Sequence, residues 1–222
     1  MNQFQRFQAA LKLENVEDNI FLVNPDTGYF VGNTPHGGYL MAIMHKALTN
    51  VLPHSTAISS SVQYLDRIDA KPFELVVETF KTSRGSSSGI VKLKQDKKTY
   101  TTFTGTRCDF EFMKGYDDLQ KPLHKIFKDK DKNDYVKMNY DKISKGFTPA
   151  FIQQLECLIH PDHAWWNREK GSDNSDNEAR CSAFLEMEGE HQINSVYRFI
   201  QTFFHLLCLI SMDHLDGYQQ SR

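Results

Sequence analysis

Little in this sequence marks a secreted, membrane-spanning or nucleic-acid-binding protein. Cysteine is sparse: Cys108, Cys157, Cys181 and Cys208 are scattered over 222 residues, with no CxxC pair. That spacing argues against a disulfide framework and for reduced thiols. No sign of charge dominates, since 26 Lys and Arg face 28 Asp and Glu for a net charge of −2. The basic footprint of a nucleic-acid partner is therefore lacking. No apolar run reaches the roughly 20 residues a membrane span needs. The nearest, Phe199–Met212, is shorter and is interrupted by Gln201 and His205. It reads as a buried core helix. The first residues, MNQFQRFQAALKLENVEDN, carry polar and charged residues throughout and show no apolar core of a signal peptide. A cytoplasmic protein is the expectation.

What is present is ordinary globular composition, 40% hydrophobic and 24% charged, enough for one large domain or two small ones. Residues 1–30 read as a lead-in, with the turn signal NPDTG at Asn24–Gly28 and a short strand at YFVG. Thr34 is placed to cap a helix whose first position is Pro35. Along Tyr39–Leu52, Leu40, Ile43, Met44, Ala47, Leu48 and Val51 recur at helical spacing, with His45, Lys46 and Asn50 off that face. Pro53 ends the helix.

Four strand-like runs follow: TAISSSVQYLD, PFELVVETFKTS, GIVKLKQD and TYTTFTGTRCDF. Their alternation predicts half-buried antiparallel strands, with Ile58, Ser60, Val62 and Tyr64 sharing one face of the first. The separators RIDAKP, RGSSSG and DKK are turn-like. Residues 28–110 thus read β-α-β-β-β-β, a helix packed on a four-strand meander in an α+β architecture.

Residues 111–146 are dense in Lys and Asp of mixed sign and read as a solvated linker or crossover. Beyond them, TPAFIQQLECLI and ARCSAFLEMEG could be strands, followed by an apolar helix over about 193–215. No four-strand meander follows that helix. Its aromatic and aliphatic residues cover most of its circumference, so it demands burial on most sides. It could pack on the first sheet or against another chain, or the sequence could be truncated or frameshifted, which YQQSR favours.

GNTPHGGYLMAIMHKAL, then SSSVQYLDRID and the strands to TRCDF, resemble the acyl-CoA thioesterase-like hotdog proteins. The likeness is to the double-hotdog branch that includes acyl-CoA thioesterase II, and it extends over residues 28–110. The resemblance implies a hotdog fold, a curved antiparallel sheet around a central helix, with a second, incomplete hotdog-like unit. The implied division is a first unit over 1–110, a linker over 111–146 and a partial second unit over 147–222. It also implies hydrolysis of an acyl-CoA thioester, no metal or organic cofactor, and pairing of hotdog units, by tandem repeat or as a homo-oligomer.

Thioester hydrolysis needs a polarised carbonyl and an activated water. The N–H groups of a helix's first turn can polarise the carbonyl, because they lack intrahelical partners and the dipole favours negative charge. Gly37 and Gly38 fall in that turn, where a missing Cβ lets an oxygen approach. The same pair could instead serve close packing of the helix entry. The resemblance makes His36, Gly37, Gly38 and Tyr39 the substrate-binding residues. His36 could be a base at neutral pH, but a contact with a neighbouring strand or with substrate is the better reading. The helix from Gly38 to Leu52 contains no Asp or Glu, so the first unit lacks a general base of its own. In the thioesterase II branch the acid lies on the second unit's helix, and LLCLISMDHLDG places Asp213 there to deprotonate water. Asp216 matches less well. The cluster ECLIHPDHAWW holds Cys157, His160, Asp162 and His163, but without a second ligand pair it reads as a loop with surface histidines rather than a zinc site. A non-catalytic acyl-CoA-binding or assembly module is the competing function. A hotdog dehydratase is disfavoured because its His-plus-acid helix is not evident near His36.

Overall fold

The computed structural model describes residues 1–112, 132–138 and 149–161, and the backbone of 183–186. The elements in chain order are α1 (Gln3–Ala10), β1 (Glu14–Glu17), β2 (Ile20–Val23), β3 (Phe30–Val31), β4 (Thr34–Pro35), α2 (Gly37–Val51), β5 (Thr56–Tyr64), β6 (Phe73–Thr82), β7 (Ser86–Gln95), β8 (Lys98–Cys108), β9 (Val136–Lys137), β10 (Glu156–Ile159) and β11 (Ala183–Glu186).

The four alternating runs form β5 to β8, as their period requires, but not as a meander. The principal sheet has six strands in the order β1-β2-β6-β7-β8-β5, every pairing antiparallel. RIDAKP is a crossover: β5 leaves it to the far edge beside β8, with Ser60 opposite Gly105 and Val62 opposite Phe103. The lead-in supplies the other edge, β2 pairing with β6. Between β7 and β8, Asp96 and Lys97 both take positive φ, the geometry of a two-residue hairpin turn matched to strand twist. In β5 the predicted face is broken. A bulge between Ala57 and Ser59 leaves Ile58 exposed, while Val62 stays partly buried.

α2 lies on β6, β7 and β8. Leu40, Ile43, Met44, Ala47 and Leu48 are buried against Leu75, Val77, Val91, Leu93 and Phe103 in one core. The opposite side of the helix is covered too. Phe7 and Ala10 of α1 and Leu11 at its C-cap join the core, and Tyr29 stacks on Tyr39 with centroids 5.0 Å apart. α1 is set by a capping box in which Asn2 and Gln5 exchange backbone bonds. His45, expected off the apolar face, is 1% exposed because Phe103 and Arg107 of β8 pack against it.

The start of α2 differs from expectation as well. Thr34 and Pro35 are extended and pair with Phe30 and Val31, turning at Gly32 with φ +58. The residue before a proline resists the α region, which favours that pairing. The His36 N–H extends it by donating to the Tyr29 carbonyl at 2.9 Å. The helix therefore begins at Gly37 with His36 as N-cap, not at Pro35 under Thr34.

TPAFIQQLECLI opens as a 3₁₀ turn over Ala150–Gln154 before β10. β10 pairs with β11 inside ARCSAFLEMEG and with β9, which arises from the charged stretch read as a linker. Phe151 and Leu155 join the principal core. His160 is buried edge-on against Tyr135 rather than placed on the surface. Among the described residues no helix is long and apolar enough to cross a membrane; Cys108 is a buried free thiol, and Cys157 is buried. The apolar run 199–212, the Asp162–Trp166 stretch, Cys181, Cys208, Asp213 and Asp216 lie outside the described residues.

Candidate active site at the first turn of α2

Gly37 and Gly38 open α2, with Gly38 buried and Gly37 partly exposed. The first-turn N–H groups lack intrahelical acceptors by position. The N-cap does not answer them, for His36 makes no side-chain capping bond. No acidic residue sits in the turn either. The positive end of the helix dipole is thus left without a side-chain counter-charge of its own.

His36 is 5% exposed and stacks on Phe151, ring centroids 4.3 Å apart. Burial pushes its pKa down to about 4. At neutral pH it is a neutral ring under an aromatic cover, far from the poise of a base tuned to pH 7. Tyr39 turns its side chain inward. Its hydroxyl donates to the Ala10 carbonyl at 2.8 Å and accepts the Asp26 N–H at 2.9 Å. Tyr39 therefore brings only its backbone N–H to the turn. Asp26 is held in turn, its carboxylate accepting from the Gly28 N–H at 2.7 Å and pairing with Arg6 at 3.2 Å.

The YLDR stretch at the end of β5 has a role that its strand pattern did not disclose. The Tyr64 hydroxyl donates to the Gly37 carbonyl at 2.7 Å, and Arg67 Nε donates to the Thr34 hydroxyl at 2.5 Å. Asp66 pairs with Lys98 at 2.5 Å. The stretch clamps the entry of α2 to the β5 edge of the sheet. Its signal was a polar and aromatic group ending a half-buried strand, with nothing in the sequence to say what lay opposite.

At the far end of α2 a second polar cluster is buried. Arg107, 2% exposed, donates Nε to the His54 carbonyl at 2.6 Å and Nη1 to the Thr49 hydroxyl at 2.9 Å. Nη2 donates to the Ser55 carbonyl, and Nη1 meets His45 Nε2 at 3.5 Å. Burial, and then Arg107, push His45 down to about 4. His54 contacts the Ser87 hydroxyl at 2.8 Å. This cluster ties the α2–β5 connection to β8. It has no carboxylate within salt-bridge distance among the described residues.

The first-turn geometry, the wrapped helix and the strand order can be set beside known proteins. Residues 26–108 match the family model of the acyl-CoA thioesterase N-terminal domain. No curated protein matches the sequence. Among solved structures, one described as a candidate thioesterase II from Thermobifida fusca YX is 22% identical, with a TM-score of 0.58 over 71% of this chain and 55% of that one. A hot dog fold protein of unknown function from Alicyclobacillus acidocaldarius is 13% identical, with a TM-score of 0.69 over 89% of this chain and 68% of that one. An acyl-CoA thioesterase II from Mycobacterium marinum is 12% identical, with a TM-score of 0.60 over 88% of this chain and 66% of that one. The chain thus spans 55% to 68% of the length of these three. At these identities the likeness to solved structures establishes the hotdog fold. Residues 26–108, matched by that family model, are thus similar to the acyl-CoA thioesterase N-terminal domain and lie within a hotdog fold.

Proposed function

We propose that this chain binds an acyl-CoA thioester at the first turn of α2 and cleaves it with water. The observation that carries the reading is the uncapped turn at Gly37 and Gly38, enclosed by the sheet of a thioesterase-family domain. Its N–H groups hold the thioester oxygen and stabilise the negative charge that develops there. Asp213 removes a proton from water as the oxygen attacks the carbonyl carbon. The carbon–sulfur bond then breaks, and the proton passes to the coenzyme A thiolate, leaving a carboxylic acid and a free thiol. His36 walls the turn and Tyr39 contributes its backbone N–H. In this reading residues 1–110 are one hotdog unit, 111–146 connect, and 147–222 belong to a second. Units pair within or between copies in the cytoplasm, and fatty acyl groups are the substrate class.

A second reading has its own support: α2 contains no acid, and Asp26 is committed to Arg6 and Gly28. The chain would then bind acyl-CoA without hydrolysing it. A thiol-release assay across short and long acyl-CoAs, with binding measured in parallel, separates the two. Turnover by the wild type that falls at least a hundredfold in Asp213→Asn is the expected result for a general base of this kind. Binding without release supports the second reading. Release unchanged in Asp213→Asn rejects the base assignment, and neither binding nor release rejects both readings.

A further inference from the structure

The interior of the sheet contains a hydroxyl without a partner. Thr101 of β8 is 1% exposed, and its Oγ1 has no hydrogen bond. A buried hydroxyl left unsatisfied is destabilising. Valine would fill the same space without that penalty, so an orphaned threonine invites a reason. Its position supplies one. Thr101 points to the same face as Phe103, Gly105 and Arg107, since alternate residues of a strand share a face. Phe103 meets His45 edge-on, and Arg107 reaches Thr49, so β8 and α2 run in the same sense along that face. Two residues back from Phe103 is roughly 6.6 Å of strand, or about four residues of helix. Thr101 therefore lies near the level of Leu40 and Met41, within one turn of the glycine pair. Independently, Thr101 is directly opposite Tyr64 in the β5–β8 register, and the Tyr64 hydroxyl rests on the Gly37 carbonyl. Tyr64 belongs to an edge strand and is 42% exposed, so it is the neighbour of Thr101 on the side of the sheet edge.

We infer that the Thr101 hydroxyl is a substrate-contacting group, reached past Tyr64, which donates a hydrogen bond to the thioester carbonyl oxygen held at the first turn of α2. This rests on the acyl-CoA reading of that turn. When the oxygen arrives it supplies the acceptor that the folded chain does not, and Tyr64 moves aside to admit it. The site then combines backbone N–H groups from the helix with one side-chain donor from the sheet.

Thr101→Val and Thr101→Ser test this. The probe is an acyl-CoA ketone analogue whose thioester sulfur is replaced by methylene, which keeps the carbonyl and cannot be hydrolysed. Thr101→Val should bind it about tenfold more weakly than the wild type, the effect of one lost hydrogen bond. Its melting temperature should stay level or rise, because an unsatisfied hydroxyl has been removed from the core. Thr101→Ser should keep wild-type affinity. Equal affinity of wild type and Thr101→Val, with the melting temperature raised, overturns the inference and leaves the acyl-CoA reading standing. No binding of the analogue by the wild type overturns the acyl-CoA reading, and this inference falls with it.

Discussion

Gly89 and Gly105 are directly opposite one another on β7 and β8, and both face Leu48 of α2. A Cβ at Gly105 would lie 2.6 Å from Leu48 Cδ2 and 3.3 Å from a Phe103 ring carbon. Ordinary contact begins at 3.4 Å, so in Gly105→Ala the leucine tip must retreat by about 0.8 Å. Overpacking of this kind is destabilising by roughly 1–3 kcal/mol. The stiffer unfolded chain of alanine returns roughly 0.4–1 kcal/mol. A net loss of about 1 kcal/mol is expected. Gly89→Ala differs in kind, because its Cβ would lie 2.7 Å from the backbone carbonyl of Glu78. No rotamer relieves that contact, so the β6–β7 pairing must deform, and a loss of about 3 kcal/mol is expected, at the upper end for overpacking. The decisive measurement is a double-mutant cycle. Leu48→Val removes both δ carbons, so Gly105→Ala placed on that background should be neutral or stabilising, with a coupling energy of about 1–2 kcal/mol. Urea unfolding reads this as a shift in midpoint at constant slope. A Gly105→Ala loss that is the same in both backgrounds would mean Leu48 does not overlie Gly105. The register of α2 on the sheet, and the depth of the first turn with it, would then be wrong.

Stability should also depend on pH with a fixed sign. His36, under Phe151, and His45, beside Arg107, are each pushed down to about 4, while the unfolded chain protonates its histidines near 6.5. Between those values the unfolded state holds more protons. Native stability is therefore full above pH 6.5 and falls as pH drops towards 4, by roughly 3 kcal/mol for each histidine over the whole interval. Urea midpoints at pH 7 and pH 5 should differ accordingly, the difference should shrink in His36→Gln, and a flat profile would contradict the burial of both rings. Arg107→Lys should lower stability by about 3 kcal/mol, since one ammonium cannot reach the His54 and Ser55 carbonyls and the Thr49 hydroxyl together. A midpoint within error of the wild type would show that those contacts are not made in solution.

How far the sequence discloses this arrangement depends on which physical rule each element obeys. β5 to β8 could be read because alternation with period two fixes which side chains share a face. It does not fix neighbours, so the pairing of β5 with β8 rather than β6 was out of reach. β2 was missed because IFLV, with its flanking turns, is too short to show a period. α1 had a readable signal in Asn2 and Gln5, the two ends of its capping box. His45 was misplaced because helical periodicity locates the apolar face and cannot show that Phe103 and Arg107 of β8 also enclose a polar residue beside it. The glycine pair was found where it lies, at the opening of α2. Tyr64 and Thr101 could not be assigned to it, since their relation to Gly37 exists only through sheet register.

The two ends of α2 are treated oppositely, and that asymmetry gives the site its charge preference. A helix terminates in partial charges, positive at its first N–H groups and negative at its last carbonyls. At the C-terminal end there is no basic residue in the last turn. Arg107 arrives from β8 instead, bonded to Thr49 and to the carbonyls of His54 and Ser55 just beyond the helix. Its cation is buried without a carboxylate within salt-bridge distance among the described residues, which is tolerable where carbonyl dipoles and the helix terminus converge. At the N-terminal end the described residues bring no carboxylate to the first turn: Asp26 is turned to Arg6, and Asp66 to Lys98. A carboxylate at Gly37 or Gly38 would stabilise α2 and neutralise the turn at once. With the negative end faced by Arg107 and no carboxylate at the positive end among the described residues, the helix in the proposed reading favours an incoming oxygen that gains negative charge. That is the demand of a thioester carbonyl under attack.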